Sequence, residues 1–518
     1  MALQLVWFKK DLRVSDHEPL LRAAEKGAVL CVYVVEPEII SSEEFDSSHQ
    51  VFINDCLEEL HKRLVKLGNG LIILHDNLPQ AFETLSSDVI FEKIWCHEET
   101  GNWVTYQRDL RVQKWCRSRN IEYEEIPQTG VIRRLRTRDG WSQKWYERMG
   151  KPPLDAPKHL AVPLGASVNP ASSIFKGVPS RRQLRGFGAV PSLEQLHLPP
   201  TNKPDAQKGG EGNAYQTLAS FIFKRSEKYR YEISSPVTGE TACSRISPYL
   251  TYGAISMRTV YRASVIQSMQ AKKDGNNTWV KSLSSFGERL IWHCHFIQKL
   301  EDEPEIEFQN MSRAYDSLRE NDFREDYFDA WCNGMTGYPM IDACMRSVKQ
   351  TGWLNFRMRA MLVSFGTYNL WLHWRPLAVF LARHFLDFEP GIHYPQFQMQ
   401  AGTTGINDMR VYNPIKQGMD QDPEGVFIRK WVPELKNVPL EFLHQPELMP
   451  PLIQQLYGCV IGENYPAPIV DNAESAKLSK DKVIALRKSK FAQQEAEEIV
   501  IKHGSRRRSA ETGGDEWG

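Results

Sequence analysis

A chain of 518 residues is too long for one ordinary domain and carries enough apolar surface to bury more than one core. Lys plus Arg equals Asp plus Glu at 64 each, so no overall field draws the protein to nucleic acid or to an anionic membrane, and any such binding must come from a local patch. No apolar run reaches the length of a membrane span, the start MALQLVWFKKDLR lacks a secretory pattern, and nine scattered cysteines without a CxxC read as reduced thiols of a cytoplasmic protein.

Up to about residue 130, short apolar runs alternate with amphipathic stretches. LQLVWF (3–8), AVLCVYVV (28–35), LIILH (71–75), VIFEKIWCH (89–97) and IEYEEIP (121–127) predict strands, and FINDCLEELHKRLVKLG (52–68) predicts a helix ending at glycine. That order predicts a doubly wound parallel-sheet α/β domain over 1–130. The first turn, WFKKDLRVSD, carries neither GxGxxG nor GxxxxGK[ST], which argues against a simple dinucleotide or P-loop site. Residues 131–209 are dense in Pro, Gly and Arg without period and predict a connector. Inside it, RRLRTRDGWSQKWYERMGK (133–151) suits either phosphates with stacked bases or a solvated stretch along the domain seam. From 210 to 500 the periodicity is helical, which predicts an all-α domain, and 501–518 predicts a disordered tail. HYPQFQMQAGTTGINDMRVYNPIKQG (393–418) breaks that pattern and predicts an irregular stretch.

Several segments have residue types suited to chemistry. In ACSRISPYLTYGAIS (242–256), Ser244, Arg245 and Ser247 precede a helix, an arrangement that suits either a phosphate or an ordinary helix cap. Arg357 and Arg359 lie on an otherwise apolar helix and must be exposed, paired or turned to an anion, with Asp387 and Glu389 of LDFEPG as natural partners. Trp292, Trp331, Trp353, Trp371, Trp374 and Trp431 each read first as core; Trp371 and Trp374, three apart on one predicted helical face, are compatible with an electron relay. His293 and His295 diverge on a helix, so no metal site is expected there or elsewhere.

Four ordered motifs resemble the cryptochrome/photolyase family. WFKKDLRVSDHEPL is similar to WFRxDLRxxDNxxL, RISPYLTYGAIS to SRLSPYLxxGxxS, TGYPMIDACMRSVKQTGWLNFRMR to TGxPxVDAxMRxLxxTGWxHNRxR, and VYNPIKQGMDQDPEGVFIRKWVPEL to FNPxxQxxxFDxxGxYIRxWxPEL; the resemblance covers about residues 3–471. It implies an α/β domain, a connector and a helical domain holding FAD in a U-shape, with the irregular stretch wrapping the isoalloxazine. Matched by position, Tyr229, Cys243, Ser244, Arg245, Ile246 and Ser247 would hold the diphosphate, with Cys243 in place of the usual threonine. Arg359 would pair with Asp387 beside flavin N5, Glu389 would lie near the pyrimidine end, and His393 would take the N5-facing position. Trp292 would stack on a flipped pyrimidine dimer.

The departures from the family pattern are specific. Its active-site glutamate is Arg289 here, with Glu288 one residue away; WRE becomes WHC, and HNR becomes Asn355-Phe356-Arg357. The WxW pair reads Phe397 and Met399, so Trp374 keeps the middle place of the family's electron relay while the proximal place is lost; Trp371 or Tyr368 is the expected substitute. The resemblance implies light-driven repair of pyrimidine dimers in DNA by electron transfer from reduced FAD, a deoxyribodipyrimidine photo-lyase, with Arg289 or Glu288 touching the dimer and His393 tuning the flavin. The alternatives are a cryptochrome photoreceptor and a light-independent flavoprotein. DNA is the expected partner of a monomer without membrane contact. A second, antenna chromophore of unknown identity is expected near Glu98, Glu99 and Asn102.

Overall fold

Apolar runs rich in Val, Ile and Leu, buried on both faces, form four of the five parallel strands, and the half-exposed EYEEI forms the fifth at the sheet edge. In the computed structural model, which describes residues 3–162, 167–168, 175–176, 186–187 and 190–504, these are β1 (Leu3–Phe8), β2 (Ala28–Val35), β3 (Leu71–His75), β4 (Lys93–His97) and β5 (Glu122–Ile126). Their order is β5-β4-β1-β2-β3, and the two-residue strand Gly186–Phe187 adds antiparallel to β3 with Ile73 opposite Phe187. Alternate residues enter different cores: Val6, Phe8, Val29 and Cys31 pack on one side, and Leu5, Trp7, Leu30 and Val32 on the other. β4 starts four residues later than the apolar pattern suggests, because Val89 to Phe91 lead into the strand without pairing in it.

Helix α1 (Ser47–Lys66) begins five residues earlier than its apolar periodicity shows, since Asp46 and His49 close a capping box there. It stops before Gly68, whose φ of +88° suits glycine. α2 (Trp103–Ser118) covers the sheet. α3 (Trp141–Met149) lies inside the stretch read as connector, and it decides between the two readings of 133–151. Trp141, Trp145 and Met149 are buried, Arg133 pairs with Glu125 at 2.8 Å, and Arg138 reaches Asp302 at 3.1 Å. The stretch is packed along the seam, with its indoles inward. The SRRQLRGFG part of the connector lies almost wholly outside the described residues.

The remainder is helical: α4 (Met257–Lys273), α5 (Asn277–Asp302), α6 (Pro339–Thr351), α7 (Phe356–Ser364), α8 (Trp374–His384), α9 (Pro390–Ala401), α10 (Pro414–Gln421), α11 (Asn472–Arg487) and α12 (Lys490–His503). α12 carries 501–503 of the tail read as disordered, and 505–518 lie outside the described residues. Two expectations are corrected. The stretch 393–418 is helical at both ends, in α9 and α10, and only 402–413 lies outside them. Local signals at Pro395 and the glycines pointed away from helix, but α9 is wedged against α5 so closely that a Cβ on Gly391 would meet Ile297 Cα at 2.7 Å; packing overrides propensity. Trp371 does not share a helical face with Trp374: it has φ +55° in the non-helical break before α8. Among the described residues no helix is long and apolar enough to cross a membrane.

Candidate active site

A cavity of about 360 Å³ opens among α5, α7, α9, the segment 243–247 and the turn 385–389. Most of the proposed site residues lie against it. Tyr229, Cys243, Ser244, Arg245, Ser247, Arg289, Trp292, Arg359, Asp387, Glu389 and His393 line it, whereas Ile246 is turned into the core at 2 % exposure. Glu288, Trp371 and Trp374 do not line it.

The segment 243–247 is shaped by Arg245, whose φ is +59°, and its guanidinium lies 4.0 Å over the Trp353 ring. The helix that follows is only Ser247–Thr251, so any anion there must be met by side chains more than by a helix dipole. Burial pushes the Cys243 thiol up to about 11, which keeps it neutral. Asp387 is the electrostatic centre of the floor. Burial alone would raise its carboxyl, but Arg359 at 2.9 Å and the Ser247 hydroxyl at 2.6 Å outweigh that and hold it below the usual range. Burial raises the Glu389 carboxyl, which the Lys10 ammonium 3.7 Å away only partly offsets. Burial lowers His393 to about 4 and His293 to about 4, so both rings are neutral. His393 Nε2 lies 2.8 Å from the Ala378 carbonyl, which fixes the tautomer with the proton on Nε2 and the lone pair on Nδ1.

The sequence reading missed Gln396, Gln400, Arg410 and Tyr412. Gln396 and Gln400 extend the His393–Phe397 face of α9 at helical spacing, and Asn355, Arg410 and Tyr412 complete the wall. The i, i+3, i+4, i+7 signal is present in the sequence but becomes visible only when 390–401 is taken as a helix. Among the described residues Asp387 Oδ1, Glu389 Oε1, Asn355 Oδ1, Gln396 Oε1, both amide atoms of Gln400, His293 Nδ1 and Arg357 Nε have no hydrogen-bond partner. So many buried donors and acceptors around one cavity are costly unless a polar ligand meets them. A heteroaromatic dinucleotide fits that set: it offers ring N–H and carbonyl groups to the amides and a diphosphate to Arg245 and the serines.

A second cavity, about 120 Å³, lies at the carboxyl ends of the strands and reaches Phe388 of the first. Glu99 and Asn102 line it; Glu98 does not. Arg108 crosses its wall, pairing with Glu36 at 2.8 Å and Glu99 at 2.5 Å, and Glu36, pushed by burial up to about 7, keeps Oε2 without a partner. Elsewhere Asp11 gathers His97 Nδ1 at 2.8 Å and His17 Nε2 at 3.0 Å, a buried knot that the sequence did not reveal; Asp11 Oδ1 accepts the Lys9 backbone N–H and His17 Nδ1 that of Leu20.

Known proteins match this architecture. A family model described as the FAD binding domain of DNA photolyase matches residues 286–485, and one described as DNA photolyase matches 4–148. The chain is 27 % identical to a cryptochrome DASH of Gloeobacter violaceus, covering 91 % of this chain and 94 % of that one. It is 27 % identical to a deoxyribodipyrimidine photo-lyase of Agrobacterium fabrum, covering 94 % and 98 %. The crystal structure of a bacterial class III photolyase from Agrobacterium tumefaciens superposes with a TM-score of 0.79 at 26 % identity, covering 94 % of this chain and 98 % of that one. An archaeal photolyase from Sulfolobus tokodaii with two FAD molecules superposes at 0.73 and 25 %, covering 93 % and 100 %.

Proposed function

The chain belongs to the cryptochrome/photolyase family, and on that premise we propose that it binds FAD and repairs pyrimidine dimers in DNA under blue or near-UV light. One observation carries the choice of repair: Trp292 and Arg289 stand together at the cavity, the guanidinium 5.7 Å over the indole and 5.3 Å over Phe356. An aromatic face beside a cation suits two flipped adjacent bases of one strand with the phosphate between them.

Reduced FAD, when bound, supplies the electron that light makes available. Arg245, Ser244 and the Ser247 backbone would hold its diphosphate, and the Arg359–Asp387 pair would form the floor of the site. Gln396, Gln400 and Asn355 meet polar edges. His393, held through Nε2 by Ala378, presents a neutral ring that accepts a hydrogen bond at Nδ1 and keeps a permanent charge away from the ring system. Trp292 stacks the dimer, Arg289 meets its phosphate, and Phe356 and Phe296 exclude water around them. The second cavity suits an antenna chromophore, for which Glu36 offers an unpaired oxygen. The test is repair of a thymine-dimer oligonucleotide by purified, chemically reduced protein under blue light, with a dark control. Light-dependent loss of dimers supports the proposal; persistence of dimers with FAD bound and reduced refutes it.

A second reading, a photoreceptor whose flavin photoreduction alters partner binding, draws support from Phe397 and Met399, which stand where the resemblance expects tryptophans. It predicts photoreduction and a light-dependent change in shape, seen by small-angle scattering, without dimer loss.

A further inference from the structure

Tyr394 is wholly buried, and its hydroxyl donates to Glu44 Oε1 at 2.6 Å. The two come from different domains, Glu44 from the loop before α1 and Tyr394 from α9. That loop is held on the helical domain by Arg375, which pairs with Glu43, and by Arg383, which donates to the Glu43 carbonyl at 2.6 Å. The Tyr394 ring lies 5.6 Å from His393 and 6.2 Å from Phe388, both of which line the flavin cavity. On its other side it meets Trp374 edge-on at 6.3 Å, and Trp374 in turn meets His373, a partly exposed side chain, at 5.5 Å.

We propose that Tyr394 is a redox-active residue, giving an electron to photoexcited FAD while its phenolic proton passes to Glu44. This rests on the FAD reading above. A phenol that loses an electron becomes a strong acid, and a buried cation without a partner is prohibitive in a low-dielectric interior. Glu44 removes that obstacle by taking the proton, so the products are a neutral tyrosyl radical and a neutral glutamic acid. Trp374 has no such base: its indole N–H donates to the amide oxygen of Asn310 at 2.8 Å. Glu307 and Arg375 are the other charged groups whose fields reach Tyr394, and neither is hydrogen-bonded to its hydroxyl. The cycle closes when an external thiol returns one electron to the tyrosyl radical, with Trp374 bridging the distance but never left as a cation, and the proton goes back from Glu44 to Tyr394. Over two turnovers two thiols give two electrons and two protons and become one disulfide.

A purely structural tyrosine tying two domains together makes the same hydrogen bond, so the test must see the radical. The FAD-loaded protein is illuminated with a thiol present, and tyrosyl radical is followed by transient absorption and electron paramagnetic resonance, alongside flavin reduction. The parent is expected to show a neutral tyrosyl signal and slower reduction in heavy water. Y394F should abolish the signal and slow reduction by about tenfold or more, and E44Q, which can accept the hydrogen bond but not the proton, should slow it similarly. Y394W should restore reduction without the heavy-water effect, because an indole donor can act before it loses a proton and the Glu44 carboxylate then balances its charge. Absence of tyrosyl radical in the FAD-loaded parent, or parental reduction by Y394F with FAD at full occupancy, overturns the proposal. A parent that retains no FAD fails the cofactor reading itself, a different outcome visible before any illumination.

Discussion

Asp387 Oδ2 takes both the Arg359 guanidinium, at 2.9 Å, and the Ser247 hydroxyl, at 2.6 Å, while Oδ1 of the same carboxylate has no partner among the described residues. One oxygen holds the protein together and the other is left for a ligand. Replacing Arg359 with Met strands a buried carboxylate; because Arg359 is itself a quarter exposed, the cost should be about 2 kcal/mol, below the range for fully buried pairs. Thermal unfolding and the flavin-to-protein absorbance ratio check it, and both should fall together.

In the proposed reading Trp292 serves the substrate and Asp387 the cofactor. W292A should keep FAD yet lose discrimination between damaged and undamaged oligonucleotides, by about 1–3 kcal/mol. Equal loss of affinity for both oligonucleotides would show that Trp292 does not stack the lesion.

Arg410 is exposed at the cavity, and its guanidinium suits a phosphate. R410Q should weaken DNA binding evenly across sequences and reduce the slope of log affinity against log salt by about one. A titration at several salt concentrations reads that slope directly.

Trp371 is a poor relay for electrostatic reasons that only its surroundings reveal. Arg319 and Lys482 both lie 4.5 Å from its ring centre, and the Asp322 carboxylate that accepts its indole N–H at 3.2 Å offsets only one of those two charges, so removing an electron from the indole adds to a net positive surrounding. W371F should photoreduce at the parental rate, whereas W374F should slow it; flavin bleaching under blue light distinguishes the two.

Buried titratable groups set a pH optimum for stability. Burial lowers His49, His293, His384 and His393 to about 4 and His97 to about 3, from 6.5, so the unfolded chain binds protons that the folded one refuses as pH falls below 6.5. Burial raises Glu36 and Glu301 to about 7 and Glu307 to about 8, from 4.5, so their contribution is lost as pH rises from 4.5 through those values. Among these groups the five histidines outweigh the three glutamates below 6.5, and the glutamates alone act between 6.5 and 8. The thermal midpoint should therefore peak near pH 6.5, and E307Q should flatten the alkaline side.

The sequence by itself determined the α/β-then-helical fold class and the five strands in order, because both follow from local patterning; patterning left Arg357 and Arg359 open to Asp387, Glu389 or an anion, and the family resemblance implied the Arg359–Asp387 pair. Its motifs also named most of the cavity wall. The tertiary structure alone decided what depends on contacts far apart in the chain. Packing against α5 made a helix of 390–401 despite Pro395, and so brought Gln396 and Gln400 to the wall beside His393. Docking of α3 turned Trp141 and Trp145 inward. The Tyr394–Glu44 bond joins residues 350 positions apart, and Trp371 gained its two cations only through the fold. Periodicity reports which face of an element is apolar; it does not report what that face will meet, and the electrostatics of a buried group are set by what it meets.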